Sequence, residues 1–217
     1  PDRGLILPEE FLALSENTRL IVFIDELVLY TVCAQSKAWQ DAGFQPLRIA
    51  VNISAHTFQQ PNLVETVLSV LQKTGLDPHF LGLEITEGIA MQDIETTIHK
   101  LDKLCDLGIQ ISIDDFGTGF SSLYYLKKFP IHKLKISQHF VSGIVTDQND
   151  KMIVSSVIAL AQNLKFKVVA EGVETEEQHI FLNQRQCDEM QGYLFCKPFP
   201  AEAFGKMPMQ YKQLCDV

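Results

Sequence analysis

The sequence predicts a single α/β domain built on a parallel sheet of the (β/α)-barrel kind, and two observations predict it. Short runs rich in Val, Ile and Leu alternate with longer segments whose apolar residues recur at helical spacing. That alternation produces parallel strands joined by crossover helices. Polar residues then end the strands in turn: Asn52, Glu84, Asp114, Lys135, Glu171 and, near the last strand, Gln191. Each interval suits one strand–helix unit. In a barrel the carboxyl ends of all strands form one face, where chemistry is placed. A doubly wound sheet gathers such residues only near its switch point.

The elements follow in order. Pro1 to Pro8 reads as loop, and Pro8-Glu9-Glu10-Phe11 as a helix start with proline and acids in the first turn. Leu20 to Trp39 is a long apolar-rich helix, ended by Gly43 and Pro46. Leu47 to Ile53 is a strand. Pro61 to Lys73 is amphipathic, with Leu63, Val67, Val70 and Leu71 on one face and Gly75 closing it. Phe80 to Thr86 is the second strand. Ile94, Ile98, Leu101 and Cys105 mark a helix that Gly108 closes, and Ile109 to Asp114 is the third strand. Ser121 to Lys128 reads as a short helix, and His132 to Ile136 as a strand entered through Pro130. Asp150 to Leu164 is a helix, Lys167 to Glu171 a strand, and Thr175-Glu-Glu-Gln opens a further helix with a capping hydroxyl and early acids. A last short strand lies near Met190, and Pro198-Phe-Pro starts the tail. No low-complexity stretch or linker interrupts residues 1–217.

The stretch from Ile109 to Gly119 is chemically the most pointed. Ile109, Ile111 and Ile113 make a buried strand, Asp114 and Asp115 end it, and Gly117 and Gly119 turn the chain. Adjacent carboxylates repel one another and lose solvation when partly buried. A divalent cation relieves both costs, so the pair points to a metal site of oxygen ligands, with a solvated acidic turn as the plainer alternative.

Bulk properties narrow the class. The chain has 217 residues, 46% of them apolar and 21% charged, with a formal charge of −9. Such a surface does not suit a DNA or RNA polymer or an anionic membrane, although bound cations would still admit a phosphate ligand. The longest apolar run, Leu20 to Val32, is interrupted by Asp25 and Glu26, and no leader pattern is visible. Five cysteines without a CxxC pair argue against a zinc site or a disulfide framework and suit a reducing cytoplasm. The six histidines form no HExxH pattern.

Taken together, six segments resemble the EAL domain family of cyclic di-GMP phosphodiesterases. They are Val51-Asn-Ile-Ser54, Leu83-Glu-Ile-Thr-Glu87, Asp114-Asp-Phe-Gly-Thr-Gly-Phe-Ser-Ser-Leu123, Leu134-Lys-Ile136, Val169-Ala-Glu-Gly-Val-Glu174 and Gln191-Gly-Tyr193. Asp-Phe-Gly also occurs in protein kinases, but the kinase glycine-rich and HRD loops are missing here. The resemblance runs from about Gly4 to Phe199. It implies a modified TIM-type (β/α)8 barrel whose opening strands, with the Glu-Ala-Leu signature, are absent from this chain. It implies hydrolysis of cyclic di-GMP to linear 5′-pGpG over two Mg2+ or Mn2+ ions.

By matching position, the resemblance makes Asn52, Glu84 and Asp114 ligands of the first ion. Asp114 would bridge to a second ion completed by Asp115 and Glu171. Lys135 would orient the nucleophilic water or neutralise charge, Gln191 would hold a metal-bound water or the phosphate region, and Glu174 would hydrogen-bond nearby. Glu87 resembles the glutamate that anchors the loop after Asp115. That loop, Phe116 to Ser122 with Gly117, is implied as a lid over the metals and a homodimer contact. A flanking sensor or GGDEF domain, in a longer parent that is cytoplasmic or attached to the inner membrane, is also expected. One position departs from the pattern: Ser137 stands where the family usually has aspartate. Ser137 and the missing signature leave open a cyclic di-GMP receptor without turnover, and a chain lacking the signature is expected to turn over weakly or not at all.

Overall fold

Leu20–Asp41 forms a helix, α1, because its inward residues repeat at helical spacing: Ile21, Asp25, Leu29, Cys33 and Ser36 are the buried ones. The computed structural model describes residues 19–119 and 122–206. The opening loop and the helix start expected over residues 1–11 therefore lie outside the described residues. Cα packing divides the chain into two units, Pro1–Leu83 and Glu84–Val217. Among the described residues, no helix is long and apolar enough to cross a membrane.

In the first unit, β1 (Ile49–Asn52) follows α1. A five-residue helix, α2 (Ala55–Gln59), starts at once because the Ser54 side chain accepts the Thr57 N–H. The amphipathic helix α3 (Leu63–Thr74) buries Leu63, Val67, Val70 and Leu71, the face its spacing predicts. A 3-10 turn at Pro78–Phe80, capped by Asp77, feeds β2 (Leu81–Thr86). Leu81, Leu83 and Ile85 are all buried, and β2 runs from the first unit into the second.

The second unit continues with α4 (Glu87–Ala90), α5 (Ile94–Asp106) and β3 (Gln110–Phe116). Then come α6 (Leu123–Leu126), β4 (Lys133–Ile136), α7 (Gln138–Gly143) and α8 (Gln148–Leu164). The chain proceeds through β5 (Lys167–Ala170), α9 (Glu176–Gln184), β6 (Glu189–Met190) and α10 (Ala201–Lys206). The strand order is β1-β2-β3-β4-β5-β6. Pairings β3–β4, β4–β5 and β5–β6 are parallel. Strands laid down in chain order, without the reversal of a doubly wound sheet, are what a barrel requires. Ile111, Leu134, Ile136, Val168 and Ala170 are fully buried, as strands covered on both faces must be.

Several local expectations are corrected. The third strand does not end at Asp114: it runs through both aspartates to Phe116, and its register shifts between Ile113 and Phe116. Asp115 takes a left-handed φ of +52°, so the irregularity sits on the acidic pair itself. The turn follows at Gly117, φ +97°. The helix expected over Ser121 to Lys128 shortens to the single turn of α6. Helices α2, α4 and α7 were not expected. Each is six residues or fewer, too short to establish a helical period in sequence.

The amino ends of the last strands are fastened by charge. Lys133, Lys167 and Glu189 each begin a strand, and Glu189 forms ion pairs with both lysines. Asp188 Oδ2 accepts the Val168 N–H at 2.9 Å. These contacts hold the two-residue β6 in register at the end away from the candidate chemistry. Past β6, the Gly192 backbone lies against Val173. An added Cβ would meet Val173 O at 2.2 Å and Val173 N at 2.3 Å. Neither backbone atom can rotate away as a side chain would. Gly192→Ala should therefore cost about 3 kcal/mol or more of unfolding free energy in a urea titration.

Candidate functional site

Lys135 lies inside β4 with 4% of its surface exposed, between the buried Leu134 and Ile136. An ammonium taken out of water needs close counter-charges. It has three: Glu84 Oε2 at 2.5 Å, Glu171 Oε1 at 2.7 Å and Asp114 Oδ1 at 3.2 Å. Strand geometry explains the convergence. Lys135 pairs with Val169, so Glu171, two residues further along the same line, faces the same side. The Glu171 N–H extends that ladder to Ile136 O at 3.1 Å. On the other flank Ile113 pairs with Leu134, which puts Asp114 beside Lys135.

The cluster holds three acids against one base, and burial dominates the electrostatics of its carboxyls. Burial pushes Glu171 up to about 7; the like charge of Asp114 adds to the rise and Lys135 opposes it. Burial also raises Glu84, again against the pull of Lys135. Burial alone would lower Lys135, but the attraction of Glu84, Glu171 and Asp114 outweighs it and holds the ammonium above the ordinary lysine value. Among the described residues, no group of three or more His, Cys, Asp or Glu side chains forms a ready metal cage. Here the Lys135 ammonium stands amid the acids. The donors are all hard carboxylate oxygens, and the cluster is short of positive charge. Both properties fit a divalent cation such as Mg2+ or Mn2+.

Asp115 is exposed beside the cluster, and its N–H donates to Asp114 Oδ1 at 3.0 Å. Asn52 closes β1 in the first unit with its side chain exposed. Glu87 is 2% exposed, and its Oε2 accepts the N–H groups of Gly117 at 2.9 Å and Gly119 at 3.3 Å. It thus fixes the loop after the aspartates. Its Oε1 is buried with no hydrogen-bond partner among the described residues. Phe116 points into the core. A Cβ on Gly117 would come within 3.1 Å of the Phe140 ring.

Glu174 and Gln191 are exposed and line a groove of about 370 Å3 together with Gln138, Gly172, Tyr193 and Lys197. The Lys197 ammonium stands 5.6 Å from the Tyr193 ring centroid. The structure therefore brings Glu84, Asp114, Lys135 and Glu171 into one ionic cluster, joins Glu87 to the loop at Gly117, and gathers Glu174 and Gln191 on a groove. Gln138 and Lys197 were missed in the sequence, because a lone polar residue outside a motif gives no signal. Ser137 caps α7, accepting the His139 N–H at 3.4 Å. An N-cap is a role that serine and aspartate fill about equally well.

A sheet wound in chain order, with an acidic site at its strand ends, defines an α/β protein of the TIM-like class. Comparison with known proteins makes the class specific. The model of the EAL domain matches residues 1–198, and the chain belongs to that family. It is 46% identical over 202 residues to the bifunctional diguanylate cyclase/cyclic di-GMP phosphodiesterase MucR of Pseudomonas aeruginosa, which covers 93% of this chain and 30% of MucR. It is 42% identical over 212 residues to the cyclic di-GMP phosphodiesterase NbdA of the same organism, covering 98% of this chain and 27% of NbdA. The chain thus spans less than a third of the length of these relatives. Among solved structures, the PaMucR phosphodiesterase in a c-di-GMP complex superposes with a TM-score of 0.91 at 46% identity, covering 94% of this chain and 83% of that one.

The raised carboxyls set a pH dependence. A carboxyl whose folded value lies above its ordinary one stabilises the fold at low pH and loses that contribution as pH rises. For Glu171 the window runs from its ordinary 4.5 to about 7. In EDTA, the wild type should lose denaturant stability across that window relative to Glu171→Gln, and the two curves should run parallel below it.

Proposed function

We propose that this chain is a metal-dependent phosphodiesterase domain that hydrolyses cyclic di-GMP to linear 5′-pGpG. The observation that supports this best is the cluster of Glu84, Asp114 and Glu171 around Lys135, in a chain whose relatives are named as cyclic di-GMP phosphodiesterases. Glu84, Asp114 and Glu171 would hold Mg2+ or Mn2+ through carboxylate oxygens, with Asp115 beside them. A bound divalent ion supplies Lewis-acid stabilisation of phosphate charge and a water ionised near neutral pH. Lys135 keeps one positive charge among the acids, so the site is never wholly anionic when a phosphate approaches. Its ammonium also orients the carboxylates it bonds. Glu87 holds the loop beside Asp115 in place through the backbone at Gly117 and Gly119.

The groove beside Glu174 and Gln191 suits the rest of a dinucleotide. Gln191 offers amide donors and an acceptor, Tyr193 an aromatic face for a base, and Lys197 a cation for phosphate. In the longer protein the same proposal includes a neighbouring sensor or GGDEF domain, a second copy against the loop after Asp115, and a cytoplasmic setting.

Chromatography of nucleotides after incubation with Mg2+ or Mn2+ tests the proposal. Wild-type protein should form 5′-pGpG, slowly in the absence of a Glu-Ala-Leu segment, and Asp114→Asn should lower that rate roughly a hundredfold or more, since it weakens an oxygen shared by the cluster. Cyclic di-GMP bound but left intact would instead make the chain a receptor. Absence of binding would overturn both roles.

A further inference from the structure

Gln178 sits in the first turn of α9 with 5% of its surface exposed. A long amide is costly to bury unless its polar atoms are bonded. Local capping accounts for part of its bonding. Thr175 and Gln178 form a capping box, in which the Thr175 hydroxyl accepts the Gln178 N–H and Gln178 Oε1 accepts the Thr175 N–H at 3.0 Å. Two further bonds lie outside that motif. Gln178 Oε1 also accepts the Glu174 N–H, at 2.7 Å the shortest bond the side chain makes. Gln178 Nε2 donates to Val141 O on α7 at 3.2 Å, a contact across 37 residues of chain.

Those two bonds end on two segments that reach the groove, the turn at Glu174 and helix α7. Glu174 lines it, next to Gly172. Gln138, the first residue of α7, lines it too, and its side chain packs so closely on Gly172 that an added Cβ would meet Gln138 Cγ at 2.2 Å. A single amide thus ties the turn carrying Glu171 and Glu174 to the helix carrying Gln138. We infer that Gln178 is a positioning residue that sets the spacing of the groove and, through it, the grip on the part of the dinucleotide held away from the carboxylate cluster. Gln178 touches none of the reacting groups; it acts through Glu174 and α7. The inference rests on cyclic di-GMP being the ligand, as proposed above.

The experiment is steady-state kinetics with cyclic di-GMP at saturating Mn2+, comparing wild type, Gln178→Met, Gln178→Glu and Thr175→Ala. Gln178→Met removes all three side-chain bonds and should raise KM about tenfold while kcat stays within about threefold. The Mn2+ concentration for half-maximal activity should not move. Gln178→Glu still accepts both backbone N–H groups but cannot donate to Val141, so its KM should rise by an intermediate factor. It also serves if the methionine variant fails to fold. Thr175→Ala loosens α9 while leaving the Glu174 bond, and its KM should stay near wild type.

A kcat loss in Gln178→Met larger than its KM change would overturn the inference. So would an unchanged KM in both Gln178 variants, or an equal KM rise in Thr175→Ala. If the wild type binds without turnover, calorimetric Kd values replace KM and the same ordering decides. A wild type that neither binds nor hydrolyses cyclic di-GMP would overturn the functional proposal, and this inference with it.

Discussion

A buried ammonium among three carboxylates is the constraint around which the second unit is arranged. Lys135 is almost wholly withdrawn from water, so its charge needs the close carboxylates of Glu84, Asp114 and Glu171. These acids come from three different places in the chain, and the register of β3, β4 and β5 brings Asp114 and Glu171 to Lys135. The balance is deliberately uneven, because one cation among three acids leaves two charges seeking a partner. Burial raises Glu171 and Glu84, and the surplus of acids makes the cluster receptive to further positive charge.

Around this centre, the backbone is shaped to hold acids at a strand end. Consecutive strand residues point to opposite sides, and the register irregularity between Ile113 and Phe116 falls on the aspartate pair. Asp114 can then face Lys135 while Asp115 remains exposed. The left-handed φ at Asp115 carries a conformational cost that the surroundings must hold in place. Glu87 does part of that holding by accepting two loop N–H groups from a buried position. At the opposite end of the strands, Glu189 with Lys133 and Lys167 fastens a short edge strand. The two strand ends therefore carry opposite excesses: two lysines share one glutamate at the amino ends, and three acids share one lysine at the carboxyl ends.

The recurrence of polar residues at strand ends was legible in the sequence because buried parallel strands are plainly apolar. Any charge ending one is conspicuous, and Glu84, Asp114 and Glu171 stand out for that reason. Lys135 stood out by motif, yet its burial did not show: on pattern alone, a lysine at a strand end is a solvated lysine. The short helices α2, α4 and α7 gave no period to detect. Gln178 was visible only as part of a helix start, since its bonds to the Glu174 backbone and to Val141 depend on how α9 meets α7.

By itself the sequence determined the alternation of elements, the chain order of the strands and the chemical type of the candidate site. Those properties depend on side-chain polarity and local period, which are written along the chain. Only the tertiary structure decided that one ammonium would share three carboxylates, that the aspartate pair would sit on an irregular stretch of β3, and that a glutamine would tie the turn at Glu174 to α7. Each of these depends on distances between residues 20 to 51 positions apart. Strand register and helix packing set such distances, and no local run of residues encodes them.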